Sequence, residues 1–254
     1  AHGSASAKVS NSPAVVVGRV PVLEALRAGR RTPRKLFLLE GARDLGALEQ
    51  ASRKVPVQWL NRPALDKLSG GVVHQGVVLH ADPLPLLELK GWLATSTRGT
   101  GPVLLLDEVE DPQNFGAMVR SAAALAAAAV VFGRDRAAPV SPASVKAAAG
   151  AMDHVDLVQV ANIPRAMEQL KEAGYWITGL DAAGEKLLWE VDFCAPSVLV
   201  IGSEGKGMRK LVRDKCDLLA RIPIAGAITS LNASVSAALA LAEAARQRHT
   251  AASR

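Results

Sequence analysis

Three observations predict an α/β fold in two parts. Short apolar runs alternate along the whole chain with stretches whose apolar residues recur at helical spacing, so strands and helices take turns. In the second half the runs VLLLD, AVVFG and SVLVIG are apolar throughout, the pattern of strands buried on both faces of a parallel sheet with helical crossovers. The Pro-rich ADPLPLLEL followed by STRGTGP interrupts the alternation between about 81 and 102 and reads as a linker or domain edge. With 254 residues, 49% of them hydrophobic, the chain can bury one large core or two modest ones. The expected division is a disordered tail over 1–12, a first domain over 13–81, a linker over 82–101 and a second domain over 102–254.

The elements follow in order. The tail AHGSASAKVSNS is small, polar and free of acids, the composition of a disordered end or a trimmed targeting segment. In the first domain VVV near Val15, KLFLL from Lys35, VPVQW from Val55 and HQGVVLH from His74 read as strands, with helices over 20–28, 45–54 and 62–68. The second domain runs VLLLD, helix, AVVFG, helix over 144–151, VDLVQV, helix over 163–173, WITGL, SVLVIG, LARIPI and a long helix from about Asn232. In its first helix Asp111 is the expected N-cap and Pro112 the first helical residue. No fixed-period repeat is present.

The net charge of +6 is unevenly placed. Residues 1–101 hold 14 Lys and Arg against 7 Asp and Glu, and the remainder is nearly balanced. The densest cluster, Arg27, Arg30, Arg31, Arg34 and Lys35, suits a polyanion, most obviously RNA, through phosphate neutralisation. No run is long and apolar enough to span a bilayer, which predicts a soluble protein. Cys194 and Cys216 fit neither metal nor redox spacing, so reduced thiols in a cytoplasm-like compartment are expected. No His/Cys/carboxylate cluster offers metal-ligand spacing, and no metal is expected.

Three segments carry candidate chemistry. In LDEVEDPQNFGAMVRS a single permanent cation, Arg120, stands in an otherwise apolar helix that needs a partner for it or a solvent edge, with Asn114 in the opening turn. In VLVIGSEGKGM a buried strand enters a glycine-rich turn whose spacing is neither the phosphate loop nor the dinucleotide fingerprint. Glu204 inside that turn would repel a polyphosphate but suits hydrogen-bond donors or a cationic ligand. In RIPIAGAITSLNASVS the residues Ser230, Asn232 and Ser234 crowd the entry to the last helix, more polar groups than capping requires. If this loop lies beside the 202–207 turn at the strand ends, backbone groups of both could bind an adenosine and an amino-acid moiety.

Together these segments resemble the signatures of the SpoU (TrmH) family of SPOUT RNA 2'-O-methyltransferases: D-x-x-x-D-P-x-N-x-G-x-x-x-R-S from Asp107, I-G-S-E-G-x-G from Ile201 and I-P-x-x-G-x-x-x-S-L-N-x-S-V from Ile222. The match covers essentially all of 102–248. The first domain resembles the family's small RNA-binding domain through G-R-x-P-V-L-E-A-L at Gly18 and H-Q-G at His74, and the RlmB-like rRNA guanosine methyltransferases are the nearest branch. The resemblance implies S-adenosylmethionine as methyl donor, a ribose 2'-hydroxyl as acceptor, a homodimer with the site at its interface, and a C-terminal trefoil knot, which pattern reasoning alone would never propose. By position Asn114, Arg120, Glu204, Ser230 and Asn232 match functional residues. Gly202, Ser203, Glu204, Gly207, Ile222, Leu231 and Asn232 fall at cofactor positions, and Arg19, Arg30, Arg31, Arg34 and Lys35 are the expected RNA contacts. Ala126-Ala127-Ala128 stands where relatives usually carry a glycine at a helix end, and Ala149 lies in a segment that often has Ser. The first-choice substrate is a guanosine of large-subunit (23S) rRNA; the alternatives are tRNA or another rRNA nucleotide, including the antibiotic-resistance type, and an RNA-binding assembly factor without catalysis.

Overall fold

The computed structural model describes residues 14–96, 101–138, 140–226 and 230–253; the tail over 1–12 lies outside them. The first domain is built from β1 (Ala14–Val17), α1 (Arg19–Ala28), β2 (Pro33–Leu39), α2 (Gly46–Ala51), β3 (Val57–Leu60), α3 (Arg62–Ser69) and β4 (Val77–Ala81). Its sheet has the order β1-β4-β2-β3, antiparallel except for the parallel β2/β3 pair. Val16, Leu36, Leu38 and Leu79 face α1 and form its core with Val22 and Ala25. Gly18 (φ +103°) and Gly76 (φ +80°) sit in backbone conformations that side chains rarely adopt, which accounts for both glycines of the two N-terminal motifs.

The second domain continues with α4 (Leu89–Thr95), β5 (Val103–Asp107), α5 (Pro112–Ala124), β6 (Ala129–Gly133), α6 (Pro142–Ala148), β7 (Asp156–Val160), α7 (Ile163–Glu172), β8 (Trp176–Leu180), β9 (Lys186–Leu187), β10 (Ser197–Gly202), α8 (Lys210–Asp214), β11 (Leu218–Arg221) and α9 (Ala233–Ala252). Its seven strands are all parallel, in the order β7-β6-β5-β10-β8-β11-β9. Adjacent residues of β5 feed opposite cores: Leu104 and Leu106 pack with α5 and α9, Val103 and Leu105 with α4 and α7. Both faces are covered, so the run has no polar alternation. Gly116 lets α5 lie against α6, since a Cβ there would come within 2.5 Å of both the Ala147 Cβ and the Ser144 carbonyl oxygen.

The expected linker over 82–101 is corrected in part. The Leu87 amide donates to Leu157 O (2.8 Å) and the Gln159 amide to Leu87 O (3.0 Å), so this segment covers the exposed edge of β7. In α4 Leu89 and Trp92 are buried in the core of the second domain, and the Trp92 indole donates to Asp156. Ala126 (φ +55°) closes the turn after α5 in the left-handed region, where a glycine would rest without strain.

Candidate functional site

Every strand of the larger sheet points the same way, so its carboxyl ends share one edge, and the segments singled out from the sequence meet there. At the end of β5 the buried Asp107 accepts three hydrogen bonds from one residue. The Arg209 Nε and Nη2 donate to its Oδ1 (2.8 and 2.6 Å), and the Arg209 amide donates to its Oδ2 (2.8 Å). This ion pair raises the Arg209 pKa above its ordinary value and ties the loop after β10 to the end of β5. Sequence reasoning passed over Arg209. The available signal was an ionised carboxylate ending an apolar strand, which must find a cation when buried.

The loop is a tight turn in which the Ser203 and Gly207 amides each donate to the other's carbonyl oxygen (3.1 and 2.9 Å). Gly202 beneath it admits no side chain: a Cβ would lie 2.1 Å from the Gly207 carbonyl carbon. Glu204 is exposed at the turn's tip and accepts from the Asn114 Nδ2 at 2.8 Å and the Asn232 Nδ2 at 3.4 Å. The Asn232 Nδ2 also donates to Asn114 Oδ1 (3.0 Å), closing a three-residue network among segments that the sequence holds far apart.

Two of the three are fixed by helix starts. Asp111 accepts from the Asn114 amide (2.8 Å), the expected N-cap, which places Asn114 in the first turn of α5. Asn232 caps α9, its Oδ1 accepting from the amides of Ser234 and Val235, while its Nδ2 remains for the network. Ser230 is exposed and makes no hydrogen bond among the described residues. Ile222 packs on the core, whereas Ile224 and Leu231 expose 37% each beside the network's loops.

Arg120 is exposed, as its apolar helix required, and has no ion pair or hydrogen bond from its side chain among the described residues. It is not brought to the network within one chain. Six residues beyond Asn114, it stands about 9 Å along the helix and about 240° around it. It instead borders a shallow hollow with Val20, Glu24 and His154.

Among the expected RNA contacts, Arg31 is corrected, and the others divide between the seam and the surface. Arg31 is 6% exposed, and its Nε and Nη2 donate to the two carboxylate oxygens of Asp153 (2.7 and 2.9 Å), so no donor edge faces solvent. Arg30 pairs with Asp156, and His154 meets Glu24 at 2.8 Å. These contacts join the two domains. Arg19 donates to the carbonyl oxygens of Gln75 and Arg43 (3.2 and 3.0 Å), Arg34 pairs with Asp82 at 2.6 Å, and the Lys35 ammonium lies 5.5 Å from the Phe37 ring centroid. Arg30 and Arg31 fell to partners more than a hundred residues away, which charge counting along the first domain cannot see.

Comparison with known proteins agrees with this geometry. The model of the SpoU rRNA Methylase family matches residues 101–242, and that for RNA 2'-O ribose methyltransferase substrate binding matches residues 15–87. A tRNA/rRNA methyltransferase of Mycolicibacterium smegmatis, itself uncharacterized, is 40% identical over 93% of this chain and 77% of its own length. The 23S rRNA (guanosine-2'-O-)-methyltransferase RlmB of Pseudomonas aeruginosa is 39% identical over 88% of this chain and 87% of its own. Among solved structures, the SpoU methyltransferase AviRb from Streptomyces viridochromogenes in complex with the cofactor AdoMet superposes with a TM-score of 0.79 at 27% identity, covering 94% of this chain and 91% of that one. The network at the strand ends and the two matched domains agree: the chain belongs to the SpoU family of RNA methyltransferases.

Proposed function

We propose that this chain transfers a methyl group from S-adenosylmethionine to a ribose 2'-hydroxyl of RNA, with a guanosine of large-subunit rRNA as substrate, in the cytoplasm. The observation that carries this reading is the Asn114–Glu204–Asn232 network, which gathers all three sequence signatures at one edge. The RlmB relative supports the substrate, since the resemblance spans both domains.

The residues present fit the cofactor. Ile224 and Leu231 offer exposed apolar side chains for a flat ring, Gly202 lets the turn close against its own backbone where a Cβ would clash, and Glu204 supplies a carboxylate suited to a cationic group. Among the described residues no group of three or more His, Cys, Asp or Glu could hold a metal ion. S-Adenosylmethionine, when bound, supplies an electrophilic methyl group on its sulfonium. Ser203, Gly207, Ile222 and Leu231 would hold it through their loops, and Asn114 and Asn232 would orient ribose and cofactor.

Arg120 binds the target phosphate and the 2'-oxygen as negative charge develops on it. A guanidinium keeps its proton in proteins, so its part is electrostatic. Because Arg120 stands off its own chain's network, the reading requires a homodimer in which a second copy presents its Arg120 to that network. Val235 and Leu239, 46% and 43% exposed and four residues apart, give the start of α9 an apolar stripe for such a contact. The trefoil knot is supported by the chain path: β10 inserts between β5 and β8, and after β11, on the far side of β8, α9 returns to pack on α5 and β10.

Calorimetry with S-adenosylmethionine in chelator should give binding heat. Mapping of 2'-O-methyl groups in total RNA with and without the gene should show one large-subunit guanosine losing its mark. A folded protein that binds neither S-adenosylmethionine nor S-adenosylhomocysteine, with or without RNA, would refute the activity; a lost mark on tRNA would refute the substrate.

A further inference from the structure

A cleft of about 1330 Å³ opens between the domains, walled by the start of β1 and the turn before β2 on one side and by the strand ends of β6 and β7 on the other. Five cations line it, and three of them are left without a carboxylate partner among the described residues. Arg134 directly follows β6, Arg165 lies in the first turn of α7 just beyond β7, and Lys90 is in the first turn of α4. All three are exposed, and their side chains make no ion pair or hydrogen bond among the described residues. Glu168, one turn along α7 from Arg165, is already held by Lys215. Of the acids in the cleft, Asp82 is taken by Arg34, which leaves Glu88 against three cations. Arg30 and Arg31, also in its wall, are neutralised by Asp156 and Asp153.

The position matters as much as the sign. Arg134 and Arg165 stand at the carboxyl ends of β6 and β7, the next two strands after β5, on the edge that carries Asn114 and Glu204. Two strand spacings separate β5 from β7, about 10 Å. A strand of nucleic acid with one ribose at the network would therefore have neighbouring phosphates over this row. Asn162 and Gln159 beside the cations add uncharged donors.

We infer that Lys90, Arg134 and Arg165 form the phosphate track that seats the substrate RNA beside the methylation site, in the cleft between the domains. This rests on the reading of the chain as an RNA methyltransferase and relocates its RNA contacts from the first domain's basic cluster to the strand-end edge. Removing one phosphate-binding cation flattens the dependence of log affinity on log salt by about 0.7 to 0.9.

The test is fluorescence anisotropy with an unmodified large-subunit rRNA transcript across a salt series, using the full chain. The triple variant Lys90→Gln/Arg134→Gln/Arg165→Gln should bind at least tenfold more weakly at about 0.1 M salt, with a slope reduced by about 2. Arg53→Gln/Lys54→Gln, which removes two exposed cations of the first domain outside the cleft, should keep the wild-type slope. Equal slopes for triple variant and wild type, or an equal loss in the control, would overturn the track. At saturating RNA the triple variant should keep its single-turnover rate, and a rate loss that RNA excess cannot restore would also count against a seating role. Wild-type protein that binds RNA through these residues yet transfers no methyl group would strike the proposed activity and leave the track standing.

Discussion

The buried seam between the domains and its exposed rim on α5 put the same side chain to opposite uses. Arg31 in the seam is buried, with its Nε and Nη2 spent on Asp153; Arg120 on α5, beside the hollow with Val20, Glu24 and His154, is exposed, with no donor spent on any described residue. A guanidinium whose donors are satisfied inside the protein holds structure, whereas one left free near a site can hold a ligand. Each contributes one positive charge to the sequence. Only their partners separate them, and a partner is a property of the fold.

The largest effect that distinguishes the two regions belongs to the seam. Arg31→Ala leaves the Asp153 carboxylate buried and unpaired, which should cost about 3 to 5 kcal/mol of stability. Urea unfolding monitored by circular dichroism would read it. Arg31→Met with Asp153→Leu removes both charges at similar volume and should recover most of that loss. If Arg31→Ala unfolded at the wild-type urea concentration, the seam would not be the structural element its geometry implies.

The exposed rim should behave in reverse. Arg120→Ala should leave unfolding unchanged but slow methyl transfer about 100- to 1000-fold, the usual cost of losing one donor to developing charge. Lys in its place keeps the charge without the planar fork and should rescue little. Single-turnover rates at saturating RNA and cofactor isolate the step. Normal turnover would make Arg120 an ordinary surface residue of α5.

What could be read in advance divides along the same line. The strands of the larger sheet were legible because burial on both faces leaves no polar residue in runs such as Leu104 to Leu106. Asp111 was legible as a cap because capping is local, three residues from donor to acceptor. The pairs Arg31–Asp153 and Arg209–Asp107 were not, because their members lie 122 and 102 residues apart and only the folded chain makes them neighbours. The helix α4 hid behind Pro83 and Pro85, whose turn signal outweighed the three-residue spacing of Leu89 and Trp92. Asn114, Glu204 and Asn232 stood out in their own segments, the resemblance matched them to functional positions, and their mutual hydrogen bonds give that resemblance a physical content.

A subtler variant divides the two duties of Asn232. Asn232→Asp keeps an oxygen to cap α9, and Asp caps as well as Asn, so stability should shift by less than about 1 kcal/mol. It loses the Nδ2 donor and sets a carboxylate toward Glu204, so transfer should fall sharply. Asn232→Ala loses cap and network together and should cost about 0.5 to 2 kcal/mol besides. Equal activity in Asn232→Asp and wild type would reduce Asn232 to a cap.

The smallest effect lies in the exposed arm of the basic cluster, where Arg34 meets Asp82. The hydrogen bond from Arg34 holds the Asp82 carboxyl below its ordinary range, with a lesser contribution from Thr32. A carboxyl depressed in the folded state adds stability above its unfolded pKa and loses it as pH falls through the folded value. The pair is solvent-exposed and screened by salt, so Arg34→Gln should barely move the unfolding midpoint at neutral pH, unlike Arg31→Ala. The Asp82 titration itself should rise toward the ordinary carboxylate range in Arg34→Gln, as followed by carbon-detected NMR of the side-chain carboxyl. A titration that stayed low without Arg34 would assign the depression to the Thr32 hydrogen bond. A large stability loss would show that the exposed arm shares the structural duty of the buried one, and the contrast between seam and surface within this cluster would fail.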